Sequence, residues 1–157
     1  MNHKTALLGL FSSLAIIFGY VELLIPLGIP GVKLGLANLA VLFILMRYTW
    51  KEAVLVSVIR IVVIGFLFTN VYSILYSLAG AALSLLCMSL LKRSSHFSIF
   101  GISMTGGITH NIGQLLIAMA VVESTSLVYY APILLISGVL TGLLIGWLTG
   151  EVLKRIR

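Results

Sequence analysis

The chain alternates between long apolar runs and short polar breaks. The breaks fall at residues 26–31, 47–52, 69–70, 92–96 and 123–126. They delimit six apolar segments, which we interpret as membrane-spanning helices at residues 5–24, 34–47, 52–68, 71–91, 98–122 and 130–150. A helix needs about 20 residues to cross the roughly 30 Å hydrocarbon layer. The second and third segments are shorter than this. We expect these helices to have an unfavourable tilt in the membrane, to be irregular, or to be buried among longer neighbours.

Composition supports a membrane protein. Of the 157 residues, 61% are hydrophobic and only 9% are charged, whereas a soluble domain carries roughly 25% charged residues. The first apolar run is longer than the 7–15 apolar residues of a signal peptide, so we interpret it as a retained helix. The prediction is an all-α integral membrane protein, with residues 1–157 forming a single transmembrane domain.

The positive charges predict an orientation. With the N-terminus inside, eight of the ten Lys and Arg residues flank the spans on the cytoplasmic side, Lys33 lies outside, and Arg60 lies within a span. This bias follows the positive-inside rule and places both termini in the cytoplasm. The net charge of +6 does not indicate nucleic-acid binding, because the basic residues flank apolar runs and do not form a polar cluster. We expect a multi-pass protein of the bacterial plasma membrane.

Small residues recur at helical spacing in two segments. The last span carries four glycines spaced four residues apart, at Gly138, Gly142, Gly146 and Gly150. Such a stripe allows a neighbouring backbone to approach closely, either within this protein or from another subunit. The first span has a looser pattern at Gly9, Ser13 and Ala15, which could contact a partner protein.

Arg60 is the one charged residue near the middle of a predicted span. A charge at this depth costs about 2.5–3.5 kcal/mol on insertion scales, so a guanidinium there needs a partner. Two interpretations remain open: a structural pairing with Glu or backbone carbonyls, or contact with an anionic ligand.

Other polar side chains fall in the predicted outward half. His110, Asn111 and Gln114 share a helix face because they are three and four residues apart. Asn38, Lys33 and Glu22 belong to the same half, and the Pro/Gly-rich loop 26–31 could cap a pocket there. Interhelical hydrogen bonds are the alternative to a ligand pocket. The tyrosines near this boundary, including Tyr76, form either an aromatic belt or part of the pocket lining.

The sequence lacks the motifs that several kinds of catalysis and metal binding require. The chain contains no Asp, so it cannot form the aspartate-rich magnesium clusters of prenyl-transferring synthases. It has no phosphate-binding GxxxxGK[ST] loop, no His, Cys or Glu group at metal-ligand spacing, and no signature of a nucleophile. We expect no catalytic residue, no metal and no cofactor.

Two motifs resemble a known family. The segment Pro30-Gly31-Val32-Lys33-Leu34-Gly35-Leu36-Ala37-Asn38 and the segment His110-Asn111-Ile112-Gly113-Gln114-Leu115 resemble the heptaprenyl diphosphate synthase component I family, also called Gx transporter proteins. That family is grouped with the substrate-binding S components of energy-coupling factor (ECF) transporters, which have six helices and both termini inside.

The resemblance implies a transport role. An S component captures a small molecule from outside and works with a membrane scaffold subunit and two cytoplasmic ATPases. The ligand would be a small, anionic or isoprenoid- or quinone-related precursor or a vitamin-like molecule. The family label suggests the isoprenoid or quinone precursor, and Lys33, Arg60 and His110 suit an anionic head group. The alternative is a non-catalytic accessory subunit of prenyl diphosphate synthesis or quinone metabolism.

Overall fold

The protein is an all-helical bundle. The computed structural model describes residues 3–25, 27–28 and 32–156, and no strand occurs in these ranges. The described residues form six α-helices: α1 His3–Leu24, α2 Leu36–Arg47, α3 Trp50–Phe68, α4 Val71–Ser94, α5 Ile99–Val122 and α6 Ala131–Arg155, with a 3₁₀ turn Thr125–Tyr130 before α6. The all-α prediction is confirmed, and the observed helix ends lie within five residues of the predicted ones.

Helix length and composition identify a multi-pass membrane protein. Four segments of the described chain are long and apolar enough to cross a bilayer, namely α1, α4, α5, and the 3₁₀ turn together with α6. The other two helices differ from them: α2 has 12 residues, and α3 has 19 but carries Lys51, Glu52 and Arg60. Six crossings with both termini inside therefore remain a prediction.

The short helix α2 lies at the centre of the bundle. Every residue from Ala40 to Leu45 is buried, as is Ala37, and α1, α3 and α6 pack around them. The ring of Phe43 stacks on Phe11 of α1 at a centroid distance of 4.1 Å. At 1.5 Å per residue, 12 residues span about 18 Å, which is too short for the roughly 30 Å apolar layer. Enclosure by longer helices removes the need for α2 to match that layer.

Charged side chains from other helices satisfy both ends of α2. Lys92 Nζ in α4 donates to the carbonyl oxygens of Leu45 and Tyr48, at 2.6 and 2.8 Å. At the other end, the Leu36 N–H donates to Glu22 Oε1 of α1 at 2.7 Å. An unpaired backbone group in an apolar environment costs several kcal/mol. A cation at the C-terminus and an anion at the N-terminus also complement the helix dipole.

The glycine stripe of α6 faces α5. A Cβ at Gly138 would lie 2.9 Å from the carbonyl carbon of Gly107, and one at Gly142 would lie 2.6 Å from Met104 Cα. Gly146 is close to Ser103, whereas the nearest neighbour of a Cβ at Gly150 would be Ile99 Cγ2, at 3.9 Å. The first three glycines thus allow close backbone contact inside this protein.

The small residues of α1 do not share one surface. Gly9 and Ser13 are exposed, and a Cβ at Gly9 would meet nothing within 4 Å. Ala15 is fully buried against the rest of this chain, so Gly9 and Ser13 are the two members of the set that are accessible to a partner, and partner contact at α1 stays a prediction. The difference is angular: each residue turns the helix by 100°, so Ala15 lies about 200° around α1 from Ser13.

The close α5–α6 contact predicts that a larger side chain at a contacting glycine lowers the stability of the protein. We expect Gly142→Ala to lower the free energy of unfolding by about 1–3 kcal/mol, because the new methyl group must displace a backbone. Thermal unfolding of the purified protein in detergent measures this change. Gly150→Ala is the matched control and should be close to neutral, since its methyl group has room. Equal effects of the two substitutions would contradict the packing.

Candidate ligand cavity

A small polar cavity lies where α1 ends and α2 begins. Its volume is about 70 Å³, and residues from all six helices line it. This space holds several waters or a small ligand, because one water needs about 10–15 Å³ on this measure. The polar lining residues are Glu22, Lys33, Asn38, Arg60, Thr69, Ser73, Ser77, His110, Asn111, Gln114 and Thr141.

The late start of α2 leaves room for this cavity. Gly35 precedes the helix with φ 76° and ψ 15°, a left-handed conformation that glycine adopts without steric cost. The chain therefore turns into α2 beside the cavity, and Asn38 in the first turn lines it. The polar Asn38 side chain in this first turn therefore faces side chains of the longer helices around the cavity.

Arg60 is the central charged group of the cavity. Its Nη2 donates to Asn38 Oδ1 at 2.6 Å, while its Nε is buried without a hydrogen-bond partner. The ion pairs within the described residues are Lys4–Glu52 and Lys154–Glu151, so Arg60 belongs to neither. A guanidinium has five N–H donors, and a buried charge without a counterion is costly. The observed partner is a side-chain amide, and not the Glu or backbone carbonyl considered from the sequence.

The remaining charges leave the cavity positive. Glu22 is the one carboxylate in the lining, against the two cations Lys33 and Arg60, and its Oε1 is already engaged by α2. Although the Lys33 residue is exposed, the surrounding protein desolvates its ammonium and lowers its pKa. Glu22 opposes this shift, and Arg60 adds to it. An anion entering the cavity would relieve the repulsion between the two cations.

The polar face of α5 has two different roles. Asn111 Nδ2 donates to the Leu134 carbonyl at 2.6 Å and to Ser137 Oγ at 3.2 Å, both on α6. This amide therefore joins α5 to α6, as expected if the polar residues form hydrogen bonds between helices. His110 and Gln114 instead adjoin Gly80 of α4, where a Cβ would lie 2.8–3.0 Å from them. A glycine at this position lets α4 approach the two side chains beside the cavity.

Comparison with known proteins identifies the family. A family model described as heptaprenyl diphosphate synthase component I matches residues 11–152. The chain belongs to this family. The matched region contains every residue that lines the cavity. Searches of curated proteins and of solved structures gave no significant match.

In this heptaprenyl diphosphate synthase component I protein, six of the seven predicted ligand-binding residues line one cavity. They are Lys33, Asn38, Arg60, His110, Asn111 and Gln114, and their role in binding remains a prediction. Tyr76 is not part of the lining, contrary to expectation. Ser73 and Ser77 line the cavity instead; they are four residues apart and share one face of α4, whereas Tyr76 is rotated by 100° from Ser77.

Some lining residues were not predicted from the sequence. Thr69, Ser73, Ser77 and Thr141 have small polar side chains, which also serve as ordinary packing residues in membrane helices. No spacing pattern distinguishes the two uses. Glu22 gave a clearer signal, because a carboxylate at the end of an apolar helix needs a partner. The predicted cap at 26–31 falls largely on residues 26 and 29–31, which lie outside the described residues.

Glu22 provides a test of how the cavity is built. We expect Glu22→Ala to lower the free energy of unfolding by about 1–2 kcal/mol, because the first N–H group of α2 loses its acceptor. Glu22→Gln keeps an oxygen acceptor at the same position and should recover most of this loss. Thermal unfolding measures both variants. A Glu22→Gln protein as unstable as Glu22→Ala would contradict the proposed cap.

Proposed function

We propose that this protein is the substrate-binding membrane subunit, or S component, of an ECF-type uptake transporter. The supporting observation is a positively charged cavity at one end of an apolar helix bundle, with Arg60 at its centre and donors on that residue unused. In the proposed orientation, this end faces outside. The protein would hold its ligand there and act without catalysis of its own.

The cavity chemistry supports binding over catalysis. Its polar groups are amides, hydroxyls, one imidazole, one carboxylate and two cations, and the chain has no aspartate for magnesium diphosphate chemistry. Such groups fix the position of a small molecule by hydrogen bonds and charge. Since the chain lacks a phosphate-binding loop, the energy for transport would come from two ATPase subunits that act through a membrane scaffold subunit.

The geometry favours one ligand class among those considered from the sequence. A volume of about 70 Å³ holds several waters or a very small ligand and is too small for a long isoprenoid chain. Arg60 and Lys33 supply more positive charge than Glu22 offsets, so the ligand should carry an anionic group. An Arg side chain binds carboxylate and phosphate groups with paired hydrogen bonds. We therefore propose a small anionic precursor or vitamin-like molecule.

The family description supports a second candidate function. It names a component of a synthase, and an accessory subunit of prenyl diphosphate or quinone synthesis would fit that name without catalytic residues of its own. This candidate predicts co-purification with a soluble synthase and a changed prenyl chain length after deletion of the gene.

Two substitutions separate ligand binding from folding. We expect Arg60→Gln to weaken ligand binding at least about 30-fold, because a desolvated charge pair is lost. Asn38→Asp should also abolish binding, since a carboxylate at that position would neutralise Arg60, yet the folded protein should be as stable as the wild type or more so. Mass spectrometry of molecules released from the purified protein identifies the ligand, and equilibrium binding then compares the variants.

Arg47→Gln is the matched control for this experiment. Arg47 is an exposed residue at the opposite end of α2, so its loss changes the net charge equally but leaves the cavity intact. Full ligand retention by Arg60→Gln, or release of a neutral molecule from the wild type, would refute the anionic ligand.

The transport role has a separate test: pull-down from native membranes should recover the scaffold and ATPases. Their absence, with ligand uptake unchanged in a deletion strain, would refute it.

A further inference from the structure

A second site lies between α3 and α4, away from the polar cavity. The two helices touch near the turn that joins them, where Gly65 packs directly against the side chain of Ile74. Towards their other ends they diverge and enclose a groove of about 860 Å³. Leu45 and Tyr48, at the C-terminal end of α2, also line this groove. The space is therefore a wedge that is closed at the turn and open at the opposite end.

The walls of the wedge are mainly apolar. Val54 and Val58 line the α3 side, and Leu78, Leu85 and Leu86 line the α4 side. From Leu78 to Lys92 the groove follows α4 for about 21 Å, which exceeds the roughly 15 Å depth of one membrane leaflet. Its dimensions thus suit a hydrocarbon chain that enters from one leaflet and lies along the helices.

The open end of the wedge is basic. Lys92 and Arg93 line it, and neither belongs to an ion pair among the described residues. Lys92 uses two of its three N–H donors on the carbonyls of Leu45 and Tyr48, which leaves one donor for another acceptor. Trp50, which is 55% exposed, lies at the same end, and tryptophan is typical of the membrane–water interface.

A polar group within the wedge also lacks a partner. The Ser57 hydroxyl is buried and makes no hydrogen bond in the described structure, although the residue lines the groove. A polar group that stays unpaired in an apolar environment is costly. Because the hydroxyl oxygen has almost no accessible surface, an ester or other oxygen atom of an occupant would satisfy it only after the Ser57 side chain rotates into the groove.

We propose that the wedge binds an anionic phospholipid. The phosphate contacts Lys92 and Arg93, and one acyl chain fills the groove between α3 and α4. Basic sites between transmembrane helices on the cytoplasmic side are suited to such head groups. A partner helix fits less well, because a cylinder 10–12 Å wide cannot enter a wedge that narrows to a glycine–isoleucine contact. This site is independent of the proposed transport function.

Lipid retention tests the charge requirement. The full-length protein is placed in nanodiscs of mixed phosphatidylglycerol and phosphatidylcholine, and the lipids that stay bound are counted by native mass spectrometry. We expect the wild type to retain phosphatidylglycerol preferentially. Arg93→Gln should reduce this preference about fivefold, and because Arg93 is exposed the variant should fold. Arg155→Gln, which removes an exposed charge at the end of α6, is the matched control and should leave the preference unchanged.

A second variant tests the groove itself. Ala82 is an exposed residue of the lining, and Ala82→Phe should displace the acyl chain and lower the retention of both lipids without a change in the core. Retention that is indifferent to head-group charge, or equal losses in Arg93→Gln and Arg155→Gln, would overturn the proposal. A photo-reactive residue at position 86 should form a lipid adduct in native membranes. Cross-linking to another protein there instead would overturn it too.

Discussion

The structure depends on enclosing a helix that is too short to cross a membrane. In α2, 12 residues cover little more than half of the apolar layer, and the peptide groups at its two ends need hydrogen-bond partners from outside the helix. Glu22 and Lys92 supply the missing partners at its two ends. Each of these charged residues also lines a separate space, Glu22 the polar cavity and Lys92 the apolar groove. The two candidate sites therefore lie at opposite ends of α2, the polar cavity at its N-terminus and the apolar groove beside its C-terminus.

Stability and the proposed ligand binding make opposite demands on the surroundings of Arg60. A carboxylate partner would compensate its charge best, but the structure provides the neutral amide of Asn38. The hydrogen bond to Asn38 keeps the guanidinium in position and leaves its charge available to the proposed ligand. The cost is a partly unsatisfied group inside the bundle, and close contacts elsewhere must offset it. The glycines that join α5 to α4 and to α6 provide such contacts, since they bring backbones near enough for extensive van der Waals packing.

The sequence predicted the helices well because charge and hydropathy mark where an apolar segment ends. It also placed Asn38 in the outward half and Arg60 and His110 near the middle of their spans, since residue counts along a helix convert directly to height. Rotation around the helix axis was less predictable. Ala15 is buried in the core and Tyr76 does not line the cavity, and the sequence did not indicate this because nearly every face of these helices is apolar. Hydrophobic periodicity, which orients helices in soluble proteins, therefore carries little information here.

The sequence also left open which group each polar side chain would bind by hydrogen bonds. Asn111 and Gln114 belong to one motif and both line the cavity, yet the Asn111 amide also donates to α6, whereas Gln114 adjoins Gly80 of α4. Sequence spacing cannot separate them, since the outcome depends on which backbone carbonyl of the neighbouring helix lies within reach. At this height the carbonyl belongs to Leu134, in the second turn of α6. The cavity thus takes its shape from helix packing, and the same polar residues become structural or available according to where a neighbouring backbone passes.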